Sequence, residues 1–108
     1  MLENKFNQAE QLLKEIVEEN HLIEITWEHF WKTFDEYVES GELEEDGITG
    51  RESVEAYLRA YALKHFSSHT LIVISINFDL AENGHYLGYY DLVFDMNLEI
   101  ADDFFVIE

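Results

Sequence analysis

The hydrophobic period changes once along this chain, and that change decides what the chain can fold into. Up to the mid-sixties the apolar residues recur at helical intervals, and from Thr70 they alternate. Helices with one apolar stripe and strands with one apolar face must bury them against each other. The expected class is α+β.

Residues 6 to 17 carry Phe6, Ala9, Leu12, Leu13, Ile16 and Val17 at helical spacing, and Asn20-His21 loosens the pattern. Thr26 is a suitable N-cap for a second helix, with Glu28 in its first turn. Trp27, Phe30, Trp31, Phe34, Tyr37 and Val38 follow as an aromatic stripe, read as core, with one Trp free to anchor a partner. Gly41 ends that helix, and Glu42 to Gly47 form an acidic loop. Thr49-Gly50-Arg51-Glu52 matches a capping box, so a third helix is expected to run to about Phe66. Its buried stripe would be Val54, Tyr57, Leu58, Tyr61 and His65 or Phe66.

In the strand-like part, Ile72, Ile74, Ile76 and Phe78 define an apolar face, with Leu71, Val73, Ser75 and Asn77 on a mixed one. Asn83-Gly84 signals a hairpin, Tyr86 to Phe94 a second strand, Asp95-Met96-Asn97 a turn, and Leu98 to Ile107 a third strand. The expectation is one domain over residues 1–108, mainly helical through 68 and sheet from 69. About three N-terminal helices would pack on a C-terminal three-stranded antiparallel meander.

At 108 residues with 47% hydrophobic and 15% aromatic content, the chain can bury one core and fold without staples. It has no cysteine, which excludes disulfides and thiolate metal sites. The first residues lack the apolar core of a signal peptide, and the longest apolar run is strand-sized, so a cytoplasmic location with no membrane contact is expected.

Charge points to the kind of function. Twenty-four acids face six Lys and Arg, for a net charge of −18. That balance disfavours direct nucleic-acid binding, because phosphates would be repelled, and favours association with cations. Solubility and adaptation to high salt are the competing explanations. All the cations lie before residue 65: Lys5, Lys14, Lys32, Arg51, Arg59 and Lys64. The remaining residues hold eight acids and no Lys or Arg. Acids beside apolar or tyrosine surface suit a protein interface, where charge steers the encounter and aromatic anchors hold it. The candidate contacts are Asp91, Asp95, Asp102 and Asp103 with Tyr89 and Tyr90, or the loop acids Glu42, Glu44, Glu45 and Asp46.

Catalytic and metal motifs fail on inspection. Glu42, Glu44, Asp46 and Gly47 fit the first positions of a calcium loop, but Ser53 stands where a closing Glu is needed. His65 and His69 are four apart, yet no HExxH or fixed carboxylate accompanies them. Nucleophile elbows, P-loops and dinucleotide-binding glycines are all missing. A binding protein is expected: no catalysis, no cofactor, no metal, and a monomer or weak dimer.

The hairpin Asn83-Gly84-His85-Tyr86-Leu87-Gly88-Tyr89-Tyr90-Asp91-Leu92-Val93-Phe94-Asp95 and the ending Asp102-Asp103-Phe104-Phe105-Val106-Ile107 resemble, in style, small acidic immunity proteins of bacterial polymorphic and contact-dependent toxin systems. The resemblance covers roughly the C-terminal third. It implies a basic toxin domain as partner, often a nuclease, inhibited by occlusion of its active site. The alternative is a nucleic-acid mimic of the anti-CRISPR or anti-restriction type, whose carboxylates imitate the phosphate row.

Overall fold

Two helices lie ahead of a four-stranded sheet. The computed structural model describes residues 1–108, with α1 at Leu2–Glu19 and α2 at Leu22–Glu39. Short 3₁₀ turns at Glu44–Asp46 and Arg51–Ser53 lead into β1 at Val54–His65, β2 at Thr70–Leu80, β3 at Tyr86–Phe94 and β4 at Ile100–Ile107. The strands pair antiparallel in the order β1-β2-β3-β4. The class is α+β, but three helices on a three-stranded meander is corrected to two helices on four strands.

The segment expected as a third helix is β1. Its register with β2 runs from Val54↔Leu80 to His65↔Thr70, with a bulge between Leu58 and Ala60. Before the bulge Val54, Ala56 and Leu58 face one side; after it Tyr61 and Leu63 do. A bulge inserts one residue and shifts the alternation by one. Val54, Leu58 and Tyr61 therefore fall at helical intervals although the segment is a strand. Pairing along β2 overrides the helix-forming Glu, Ala, Leu and Lys. At the capping-box position, Ser53 rather than Glu52 supplies the reciprocal partner, with Ser53 Oγ accepting the Thr49 N–H at 3.1 Å. The sheet therefore starts at Val54, not at residue 69.

Helix α2 begins one turn before the expected cap. Thr26 is fully buried inside the helix, and its hydroxyl donates to the Leu22 carbonyl at 2.7 Å, the way a helical Thr satisfies itself. The link from α1 is closed by His21 in the left-handed region (φ 55°). The last strand also starts later than expected. Leu98 sits in the β3–β4 turn at φ 61°, and Asp95 Oδ1 accepts the N–H groups of Asn97 and Glu99 at 2.8 and 3.0 Å. That side chain draws the backbone into a turn, so pairing resumes only at Ile100.

The core lies between α2 and one face of the sheet. Phe30 and Phe34 meet Ile74, Ile76, Phe78, Tyr90, Leu92 and Phe94, all essentially inaccessible to solvent. The Phe30 ring lies 5.6 Å from Phe78 and 5.8 Å from Tyr90. Each such side chain contributes about 1.5–3 kcal/mol by leaving water. Leu43 and Ile48 are buried on either side of the acidic 3₁₀ turn and pin that loop to the same core. Arg51 ties the start of β1 to α2, donating to both Asp35 oxygens at 3.1 and 2.7 Å while its guanidinium lies 4.9 Å above the Trp31 ring. At Gly88 the neighbouring strand comes too close for any side chain: a Cβ would collide with the Val106 carbonyl oxygen.

Helix α1 stands apart. Val17 is its only buried residue, and its main packing partner is α2. The radius of gyration is 15.9 Å and the longest dimension 50 Å. An evenly packed chain of this length would have a radius near 13 Å, about 3 Å less.

Candidate partner-binding surface

Alternation along β3 and β4 decides where each acid goes. On the helix-covered face, Gly88 is paired with Ile107, Tyr90 with Phe105 and Leu92 with Asp103. On the opposite face, Tyr89 is paired with Val106, Asp91 with Phe104 and Val93 with Asp102. Adjacent Asp102 and Asp103 therefore point to opposite sides of the sheet, and the acids expected to act as one group form two.

The first group lies on the face that no helix covers. From β2 it receives Val73, Ser75, Asn77 and Asp79; from β3, Tyr89, Asp91 and Val93; from β4, Asp102, Phe104 and Val106. Phe104 is 48% exposed, enough to act as an anchor. A groove of about 460 Å³ runs over Leu71, Val73, Val93 and Phe104, with Asp91 and Asp102 on one side and Lys64 and His69 on the other. Neither Lys64 nor any acid of this face is in an ion pair; the whole chain has only Arg51–Asp35 and His21–Glu24.

Three oxygens on this face are buried and have no hydrogen-bond partner: Oδ1 of Asn77, of Asp79 and of Asp91. The parent residues are half-buried in the two central strands. Their backbones pair with Tyr89, Tyr86 and Ser75 respectively, so the three acceptors sit on the middle of the sheet. An amide or carboxylate oxygen only accepts, and no group of the chain donates to any of the three. Unpaired buried acceptors cost about 1–3 kcal/mol apiece and are uncommon in folded proteins. Asn77 and Asp79 were not among the residues expected to bind. Their signal was in the sequence, as the polar end of the mixed Leu71, Val73, Ser75, Asn77 face.

The second group is a corner beneath α2. Asp103 Oδ2 accepts the Tyr90 hydroxyl at 2.8 Å, and Asp103 lines a shallow depression of about 390 Å³ with Thr33, Glu36, Tyr37 and Glu42. Tyr90 is fully buried among Phe30, Leu92 and Phe105, so its ring belongs to the core and is withdrawn from any partner. Burial and the Asp103 carboxylate push its phenol pKa well above the ordinary value. Glu42 also accepts from the Ser40 hydroxyl at 3.1 Å. Glu44, Glu45 and Asp46 lie exposed on the 3₁₀ turn, joined to this corner only through Glu42. Asp95 is committed to its turn, as described above. No three His or carboxylate groups converge at metal-binding distances.

Of the expected residues, the structure brings together Asp91, Asp102 and Tyr89 on the open face and Asp103 with Glu42 in the corner; it does not bring the two sets together. No helix is long and apolar enough to cross a membrane. Comparison with protein-family models, curated proteins and solved structures finds no match for this chain.

Proposed function

We propose that this chain is an acidic inhibitor that docks a cationic protein on its open sheet face and performs no chemistry of its own. The observation that carries the reading is the set of partnerless acceptors Asn77, Asp79 and Asp91 on a face that also presents the exposed Phe104 ring. Lys and Arg bring donors without acceptors, and their hydrogen bonds to carboxylates are the strong, charge-assisted kind. Docking would bring donors beside acceptors that no donor of the chain reaches. Phe104, Val106 and Tyr89 supply apolar contact around the acids, and a net charge of −18 steers the encounter.

The partner class is a basic toxin domain, in the manner of an immunity protein. A nuclease places Lys and Arg where substrate phosphates bind. Asp79, Asp91 and Asp102 would take those side chains, and the bound domain would exclude nucleic acid from the active site. The test is affinity capture from source cells, followed by assay of the captured protein with and without this chain. A basic nuclease silenced by the native chain, and released by Asp79→Asn, Asp91→Asn and Asp102→Asn together, is the expected result. Capture of a host DNA-processing enzyme would instead favour nucleic-acid mimicry. Capture that ignores both salt and the triple substitution would overturn the reading and leave solubility as the role of the charge.

A further inference from the structure

Helix α1 carries an apolar stripe that the chain covers only at its C-terminal end, where Leu13 packs against the core. Leu2, Phe6, Ala9, Leu13 and Ile16 recur at alternating four- and three-residue steps, the seam of a helix that pairs with another helix. Leu2 is 68% exposed, Phe6 66% and Leu12 60%. Only the C-terminal turns touch the body, and an isolated helix of this length is marginal in water. A partner along this stripe would cover the projecting turns and stabilise them.

We propose that this partner is a second copy of the chain, its α1 packed antiparallel along the same seam. Three observations select this occupant. The first is self-complementarity: placing Phe6 against Ile16 of the second copy also places Ala9 against Leu13, and both contacts repeat across the two-fold axis. On one flank Leu12 then meets Leu12, and Lys5 meets Glu19, both of them exposed charges.

The second is the cavity at the root of α1. In this register Leu2 of the second copy arrives beside Asn20. There an apolar cavity of about 350 Å³ is lined by Ile16, Asn20, Leu63, Leu71, Met96 and Leu98, among others. The free end of one helix thus reaches a recess of matching character on its neighbour's body.

The third is area. Fully burying an aromatic side chain removes 150–250 Å², so closing two Phe6 residues, each two-thirds exposed, covers roughly 200–330 Å². With Leu2, Leu12 and Ile16 from both copies, the seam approaches the roughly 1,000 Å² that a specific interface needs.

The test is sedimentation equilibrium on the full chain across a range of concentration and salt. A dimer is expected that tightens as salt rises, because screening relieves the repulsion between two acidic bodies while leaving apolar contact intact. Phe6→Glu, at an exposed position, should weaken dimerisation roughly tenfold or more while leaving the circular-dichroism spectrum of the sheet unchanged. Lys5→Glu should weaken it, and Lys5→Glu with Glu19→Lys should restore it. Glu10 meets its own copy on the other flank, so Glu10→Gln should tighten the dimer. A monomer at every concentration and salt would overturn the proposal, as would a dimer indifferent to Phe6→Glu or one that the charge swap fails to rescue.

Discussion

Replacing Asp91 with valine is expected to stabilise the free protein, the reverse of what most substitutions in a sheet do. The carboxylate sits in β3 on the open face, paired across the strands with Ser75 and Phe104, and its Oδ1 is buried without a donor. Removing a fully buried unpaired acceptor returns about 1–3 kcal/mol. Asp91 is only half-buried, so the lower end, about 1 kcal/mol, applies. Valine also suits a pleated surface better than aspartate, by up to about 1 kcal/mol. One acid fewer slightly relieves the self-repulsion of the −18 chain. The sum is a gain of about 1–2 kcal/mol, and each kcal/mol raises the Tm of a domain near this size by about 4–8 °C. Thermal melts followed by circular dichroism, with matched urea midpoints at the same protein concentration, read it directly. The variant should at the same time lose affinity for the captured partner. An unchanged or lowered Tm would refute the reasoning, because it would mean that Asp91 is satisfied in the free protein and holds nothing in reserve for binding.

Other perturbations test the frame that presents this face. Phe30→Ala removes the ring between α2 and the sheet and should cost about 3–5 kcal/mol in urea unfolding, since Phe30 is fully buried. Gly88→Ala drives a methyl against the Val106 carbonyl and should cost about 1–3 kcal/mol, with loss of hydrogen-exchange protection along β4. The hydrogen bonds from Arg51 hold the Asp35 carboxyl below its ordinary pKa of 3.8. The contribution of that pair is therefore present above the ordinary carboxylate value and lost as pH falls through the lowered one. Asp35→Asn should consequently lower the urea midpoint at neutral pH, and its deficit relative to the native chain should shrink as pH falls through the lowered Asp35 pKa.

The parts of the fold legible in the sequence are those where one period runs unbroken. Phe30 and Phe34 on α2, and Ile72, Ile74, Ile76 and Phe78 on β2, are buried on the expected face because nothing interrupts their repeat. β1 was not legible, because its bulge moves Tyr61 and Leu63 onto the face of Val54 and Leu58 and so imitates a helix. A reading of single segments cannot detect a shift whose cause is the strand beside it. The same holds for the binding surface. Tyr90 falls on the buried alternation of Leu92 and Phe94, which excludes it from the surface, and adjacent Asp102 and Asp103 separate by alternation alone. Other facts arise only from pairing and turn geometry. Asn77 and Asp79 lose their donors because the central strands enclose them, and Asp95 is committed because its turn folds back on it.

The central claim is that the open sheet face is the docking face, and backbone amide chemical shifts of the isotope-labelled chain, followed as the captured partner is added, test it most directly. The account predicts that the largest changes fall on Ser75, Asn77, Asp79, Tyr89, Asp91, Asp102 and Phe104, and weaken with salt. Changes centred on Thr33, Glu36, Glu42 and Asp103, with the open face silent, would contradict it and move the site to the corner beneath α2.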